Sequence, residues 1–462
     1  MGPAKRIGIV GTFDVENFGD LLFPLVAGAE LAKRLPGMTL VAYSYHRKAA
    51  PEWPYDVRSL DDLARDIESL DLLIVGGGDL VRFDKDVAPG YGPPSLASHH
   101  PTAYWLMPTL LAAIHGVPVA WNAVGVVSPL PVWGRPLVAL ATGGAGYLTV
   151  RDDFSHRILL TATDAVVGTV PDTVFGIGAL LPDARSPALT HLLAEAGIDV
   201  PYVIVQPSPA LAPLTEEIGA ALAQARAAGR AILELPISPA LDDRPALLEP
   251  GGKMHRLAAW PSPLLLAELI VNADAIIARS LHLTIVALTR GVPVFRPATS
   301  DAHTKYAVVE ELDGVGNWNE GAGLIEALRN RSANGRPCDD VATRVRLLAA
   351  HWDAIAALTA VPGRPRPMIT SRLLALAAET SERADALAGT GDEMTREGRL
   401  GEDERSALAD AAGEAGAQLE DERILRATAE EQLSAVLATR SWRYTALLRK
   451  AVRLRKRASN SR

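Results

Sequence analysis

The sequence predicts an α/β protein of two lobes, each a parallel sheet covered by helices on both faces, with a C-terminal helical extension. Three observations carry this. Short, fully apolar strand-like runs alternate with helix-length segments across the first 300 residues. The alternation pauses at Pro182 to Pro201 and then restarts. After residue 363 the composition changes to Ala, Glu and Arg, with scattered glycines.

The elements follow in order. "RIGIVG" (6–11) reads as a buried strand, and Asp20 to Leu35 as a helix closed by Pro36-Gly37. "MTLVAYSY" (38–45) is the next strand, and Ser59 to Ser69 a helix with Ser59 and Asp61 as candidate N-caps. "LDLLIVGGGDL" (70–80) reads as one strand ending in three glycines. Thr102 to His115 is an apolar helix, 117–126 a strand, 146–152 a strand followed by a short helix from Asp153, and 164–172 closes the first half. The second run is strand 202–208, helix 214–228, strand 230–238, helix 262–271, strand 273–278, helix 280–289 and strand 292–297. This pattern predicts two Rossmann-like lobes, 1–190 and 200–335, with ligands held beyond the carboxyl ends of the strands. A helix over 340–362 packs back on the core, and 363–462 forms a partly helical, self-associating extension. A solvated charged helix is the plainer alternative for that last segment.

Composition narrows the function classes. The 462 residues are 48% hydrophobic, enough for a sizeable core. The single cysteine, Cys338, excludes a disulfide framework and fits a reducing cytoplasm. No leader and no transmembrane run is predicted; Tyr104 to Val127 is broken by Pro108, His115, Gly116, Pro118 and Asn122. Net charge is −8, but residues 440–462 hold nine Arg and Lys and no acid, which leaves −17 for the rest. An acidic body excludes a nucleic-acid partner, while a basic tail suits an anionic lipid surface.

Several short segments bear chemistry. In "GTFDVENFGDLLF" the glycines lack dinucleotide spacing. Asn17 can donate and accept toward a hydroxyl-rich ligand, and Asp20 stands at a helix start; alternatively Asn17 shapes the turn and Asp20 caps the helix. "GGGDL" (76–80) lets the backbone approach a ligand at Gly77 and Gly78, and offers Asp79 as base, sugar ligand or cap. Arg151, at a strand end beside Asp152, is able to clamp phosphate or carboxylate, or to tie two loops together. Asp172 reads as structural. In "ARSLHL" (278–283), Arg279 and His282 fall at a strand-to-helix junction, with Ser280 as cap; this pairs a fixed cation with a proton-transfer group. His99 and His100 lie in a Pro-, Gly- and Ser-rich loop and His115 ends a helix. No cofactor fingerprint, metal-ligand spacing or nucleophile elbow is present.

"NFGD" (17–20), "VGGGDL" (75–80), "GVPVAWNAVGV" (116–126), "VRDDFS" (150–155), "VPDTVF" (170–175) and "RSLHLTIVALTRGVPV" (279–294) together resemble the polysaccharide pyruvyl transferase family. The resemblance implies a GT-B-like fold and transfer of a pyruvyl group from phosphoenolpyruvate to two hydroxyls of one sugar in a bacterial surface glycan or its precursor. It implies that His282 is catalytic with Asp20 or Asp79 as base, that Arg279, Arg151 and Ser280 bind the donor, and that Asn17, Asp20, Gly77 and Gly78 face the acceptor. The family's frequent form is Arg-Leu-His; here Ser280 takes the arginine's place and Arg279 stands one step earlier. A nucleotide-sugar glycosyltransferase and a non-catalytic glycan-binding lobe are the other readings. "SWRYTALLRK" (441–450) is similar to tails of some cell-surface glycan glycosyltransferases, and implies a peripheral contact at the inner membrane face through 440–462.

Overall fold

The computed structural model describes residues 4–85, 87, 88, 90, 91, 99–241, 243, 244, 252–297, 306–310, 312–318, 339–361, 369, 371, 372 and 375. The first lobe holds β1 (Arg6–Val10), β2 (Thr39–Ser44), β3 (Val57–Ser59), β4 (Leu72–Val75), β5 (Gly78–Val81), β6 (Val119–Val126), β7 (Tyr147–Val150) and β8 (Gly168–Thr169). Their order is β3-β2-β1-β4-β6-β7-β8, with β5 on β6. The second lobe holds β9 (Tyr202–Val205), β10 (Ala231–Glu234), β11 (Ala275–Ile277), β12 (Val294–Pro297) and β13 (Val315–Trp318), in the order β10-β9-β11-β12-β13. Every pairing between these strands is parallel. The expected pair of parallel α/β lobes is therefore present, and the reason is visible in the strands. β4, β6 and β9 are buried along their whole length, as sheets covered on both faces require.

The helices are α1 (Phe18–Arg34), α2 (Leu60–Asp66), α3 (Leu106–His115), α4 (Gly134–Gly144), α5 (Asp153–Leu160), α6 (Pro187–Glu195), α7 (Thr215–Ala227), α8 (Pro263–Val271), α9 (Leu281–Leu288), α10 (Ala307–Glu310) and α11 (Asp339–Ala357). Ser59 caps α2 in a reciprocal capping box, but its partner is Asp62, not Asp61. α1 begins at Phe18, two residues ahead of the expected start, and Asn17 occupies its N-cap position without a side-chain cap bond. The segment 70–80 is two strands, not one. Gly76 and Gly77 interrupt it because the rings of Phe13 and Phe23 lie where their side chains would stand. α4, α6 and β13 were not expected. α6 arises inside the Pro182–Pro201 transition and packs on α8, where Glu268 accepts from the Ser186 amide at 2.6 Å and hydroxyl at 2.8 Å.

One apolar core joins the lobes. It runs from Ile7 and Ile9 of β1 through Phe18, Leu22 and Phe23 of α1 to Leu266, Leu283 and Val286, and on to Trp352 and Ile355 of α11. α11 thus returns from the second lobe to the first. Arg34 meets Asp353 at 2.6 Å. Inside, His351 Nε2 stands 2.8 Å from Asn122 Oδ1, and its Nδ1 stands 3.1 Å from the Tyr147 hydroxyl. The extension expected over 363–462 and its basic tail lie outside the described residues, apart from four positions. Among the described residues no helix is long and apolar enough to cross a membrane.

The buried His351 makes the return of α11 pH-dependent. Burial, helped by the Arg34 charge, pushes its imidazole down to about 3. In an unfolded chain it titrates at about 6.5. Between those values the unfolded state binds a proton that the native state refuses. Stability from this group is therefore complete above about pH 6.5 and is lost as pH falls toward 3, by about 2 kcal/mol at pH 5. We expect the urea midpoint, followed by far-ultraviolet circular dichroism, to drop between pH 7.5 and pH 5, and the drop to shrink in His351→Gln. Equal pH slopes in both proteins would contradict this account of the buried imidazole.

Candidate active site

The loop between β11 and α9 is built by its own polar groups. Ser280 caps α9 by accepting from the Leu283 amide at 3.4 Å. Gln206, just beyond β9, accepts from the Arg279 and Ser280 amides at 3.0 Å each, and Asp243 fixes its other end at 3.0 and 2.9 Å. Two main-chain amides thus find a partner that regular structure does not offer them. Arg279 lies in this loop, ahead of the helix. Its guanidinium rests 5.2 Å from the centre of the Tyr306 ring. Among the described residues no carboxylate pairs with it, so its charge remains available to an anion. Arg296, fully buried at the end of β12, lies against the other side of the same junction. It donates to Thr284 Oγ1 at 3.0 Å and to the Ser280 carbonyl at 3.3 Å.

His282 leaves the same junction in another direction. Its Nε2 stands 3.3 Å from Asp172 Oδ2, across the gap between lobes. Asp172 follows β8 and caps the turn at 173–180, where its Oδ1 accepts from the Val174 amide at 3.0 Å. Its second oxygen also accepts from Arg151 Nη1 at 3.2 Å. Arg151 in turn binds Asp79 and stands 3.6 Å from Asp152. The result is a chain, Asp79–Arg151–Asp172–His282, whose inner members are each 1% exposed while the imidazole is 13% exposed. Burial alone would raise the Asp172 carboxyl; the His282 and Arg151 charges instead hold it below the usual carboxylate range. Burial also works against the Arg151 charge, and the surrounding carboxylates more than offset it.

α1 closes the site from the first lobe. Gly19, in its first turn, faces His282 Nδ1 so closely that a Cβ there would collide with the imidazole. Phe23 meets the same ring edge-on, with centres 5.4 Å apart. Gly78, at φ +95°, passes beneath Asp20, and a Cβ at Gly125 would stand 2.6 Å from Asp79 Oδ1. These glycines make room for the polar chain.

The structure brings His282, Asp20, Asp79 and Gly78 around one region between the lobes, with Arg279 and Ser280 at its edge. Other expected roles change. Arg151 is not a free clamp for a donor: three carboxylates surround its guanidinium, because Asp79, Asp152 and Asp172 converge on the ends of β5, β7 and β8. Asn17 is partly committed within the protein. Its amide donates to Asp20 at 2.6 Å and its carbonyl accepts from Ser238 of the second lobe at 3.0 Å, so it ties the lobes together. Asp20 does not cap α1. Gly77 packs on Phe23. Asp172 is the residue that sequence reasoning undervalued. Its place at a strand end was the available signal, but its partner lies 110 positions away. Among the described residues no group of three or more His, Cys, Asp or Glu is placed to hold a metal ion.

Residues 17–297 match the family model described as polysaccharide pyruvyl transferase. No curated protein matches the sequence. Among solved structures, the chain is similar to UDP-GlcNAc 2-epimerase from Methanocaldococcus jannaschii, at 14% identity and TM-score 0.47, covering 75% of this chain and 99% of that one. It is also similar to UDP-GlcNAc 2-epimerase from Neisseria meningitidis bound to UDP-GlcNAc, at 14% identity and TM-score 0.45, over 80% of this chain and 99% of that one. A third is the E. coli ADP-heptose lps heptosyltransferase II, at 11% identity and TM-score 0.37, over 77% and 100%.

Proposed function

This chain belongs to the polysaccharide pyruvyl transferase family, a transferase family, and on that premise we propose that it moves a pyruvyl group from phosphoenolpyruvate onto two hydroxyls of one sugar in a bacterial surface glycan or its precursor. The single observation that carries this reading is the His282–Asp172 pair, 3.3 Å apart, three residues along the chain from Arg279, which no carboxylate pairs among the described residues.

The chemistry follows from that placement. His282 delivers a proton to the methylene carbon of the donor from Nε2, the nitrogen that faces Asp172, because Nδ1 lies against Gly19, and positive charge develops at the neighbouring carbon. Asp172 holds the imidazole in orientation. A sugar hydroxyl attacks the cationic carbon and gives its proton to Asp20 or Asp79. The carbon–oxygen bond to phosphate then breaks, a second hydroxyl attacks the same carbon, and its proton leaves with the phosphate. One donor and one diol become a cyclic ketal and inorganic phosphate, and exchange with solvent returns the carboxylate's proton to His282.

The donor carries a carboxylate and a phosphate, so it needs fixed positive potential. Arg279 supplies a full charge and the start of α9 adds its free amides. Ser280, held by Gln206 and Arg296, stands where the frequent family form has arginine, and Arg279 one step earlier is the cation of this loop. The basic tail at 440–462 would keep the enzyme at the inner face of the membrane, where lipid-linked precursors are found.

The reading is tested by incubating the full chain with isotopically labelled phosphoenolpyruvate and a lipid-extracted or synthetic surface glycan. We expect acid-labile label in the glycan and an equal yield of phosphate. Phosphate release without labelled glycan, across acceptors that bind, would contradict transfer.

A further inference from the structure

A second cluster lies at the carboxyl end of the first sheet, away from His282. Asp14 stands in the loop between β1 and α1. It accepts from the Ser44 hydroxyl at 2.6 Å and the His46 amide at 2.7 Å, and from the Tyr91 hydroxyl. Tyr91 also bonds the Tyr104 hydroxyl. Around this polar floor stand four rings from three segments. Tyr91 and His99 stack in parallel, 5.0 Å apart and 4° from coplanar. Tyr45 meets Tyr91 and His99 edge-on at 5.2 and 4.7 Å. His46 lies 5.0 Å from His99 and is exposed.

Packing alone does not account for the chemistry of this cluster. Tyr45 and Tyr91 pack on the first lobe's core, and beside them the cluster sets two imidazoles, His99 half-buried and His46 exposed, at the rim of the sheet. The His99 Nδ1 atom is buried and has no hydrogen-bond partner among the described residues. A buried nitrogen left without a partner is destabilising until a donor or acceptor meets it. Burial pushes the His99 imidazole down, so it is neutral near pH 7 and able to bond a hydroxyl. Flat rings around a fixed polar floor, with one unsatisfied nitrogen, match a pyranose: apolar C–H faces and equatorial hydroxyls.

The cluster also borders the reaction site. The loop that carries Asp14 ends at Asn17, which bonds Asp20 at 2.6 Å. Tyr55 binds the Leu21 carbonyl at 3.1 Å, and the charges of Asp20 and Asp14 both act on it. The Ala88 amide bonds the His99 carbonyl at 2.8 Å, and Gly90, at φ +93°, packs against Val15 of the same loop. One loop thus holds the aromatic cluster at one end and the proposed base at the other.

We propose that Tyr45, His46, Tyr91 and His99, over Asp14, form a subsite for a non-reacting pyranose of the acceptor glycan, adjacent to the sugar that receives the ketal. The assignment rests on the transfer reading above for its acceptor, but binding at this cluster needs no donor. The test is saturation-transfer nuclear magnetic resonance on the full chain, without phosphoenolpyruvate. The probes are β-linked gluco-, galacto-, manno- and N-acetylglucosamine oligosaccharides. At least one is expected to bind saturably at millimolar concentration. His46→Ala, at an exposed position that protects the fold, and His99→Ala are each expected to weaken it about tenfold, while leaving phosphoenolpyruvate binding unchanged. Unchanged glycan affinity in both variants, or no saturable binding by any probe, would overturn the subsite. Loss of glycan binding in the variants of a protein that never binds phosphoenolpyruvate would support the subsite and overturn the transfer reading instead.

Discussion

Asp172→Asn is expected to lower turnover about a thousandfold while leaving phosphoenolpyruvate binding within about threefold of wild type. A positioned general acid contributes about 10²–10⁴ to rate, and Asp172 is what positions this one. Its carboxylate reaches His282 Nε2 at 3.3 Å. Asparagine keeps the shape and can still accept from the Val174 amide, but it removes the charge and can present an NH₂ group to the imidazole. Because Arg279 comes from a different loop, donor binding is spared. Steady-state kinetics beside donor calorimetry separate the two effects. A variant with full turnover, or one that loses donor affinity as much as rate, would show that Asp172 does not act through His282.

Arg151→Met is expected to destabilise the protein by about 3–5 kcal/mol, because removing one partner of a buried ionic network leaves charge without compensation. Here the remaining charges are Asp79, Asp152 and Asp172, converging on a side chain that is 1% exposed. Thermal unfolding should begin roughly 10 °C lower, given about 2–4 °C per kcal/mol for a chain with domains of this size. Arg151→Lys is expected to recover little, since a single ammonium cannot reach three carboxylates from one planar fork. The loss should shrink under acid conditions, where the carboxylates are protonated and no longer need a partner. A stable Arg151→Met protein that merely failed to bind phosphoenolpyruvate would contradict the structural role and restore the role of donor clamp.

The difference between those two roles marks how far a sequence speaks. "VRDDFS" announces a cation at a strand end. It does not announce that Asp79, 72 positions earlier, and Asp172, 21 positions later, arrive at the same point. That convergence depends on strand order, in which β6 separates β4 from β7 and β5 reaches over β6. Similarly, His282 and Arg279 were legible as a pair because a cap residue, Ser280, fixes the helix start between them. The direction each takes was not, since it depends on Asp172 in the other lobe and on Tyr306. The parallel sheets were legible because β4 and β9 are wholly apolar and β6 nearly so. α4 was hidden because glycines stand at both of its ends and no side chain caps it. The split between β4 and β5 was hidden because its cause, the rings of Phe13 and Phe23 against Gly76 and Gly77, is tertiary.

We infer that Arg279 holds a phosphoenolpyruvate donor for the His282–Asp172 pair. Isothermal calorimetry tests it most directly, with phosphoenolpyruvate and a panel of nucleotide sugars titrated into the full chain and into Arg279→Ala. Saturable phosphoenolpyruvate binding that weakens at least about a hundredfold in Arg279→Ala, a loss of about 2.7 kcal/mol, is the predicted result. A nucleotide sugar bound in place of phosphoenolpyruvate, with Arg279→Ala binding it as well as wild type, would contradict the claim.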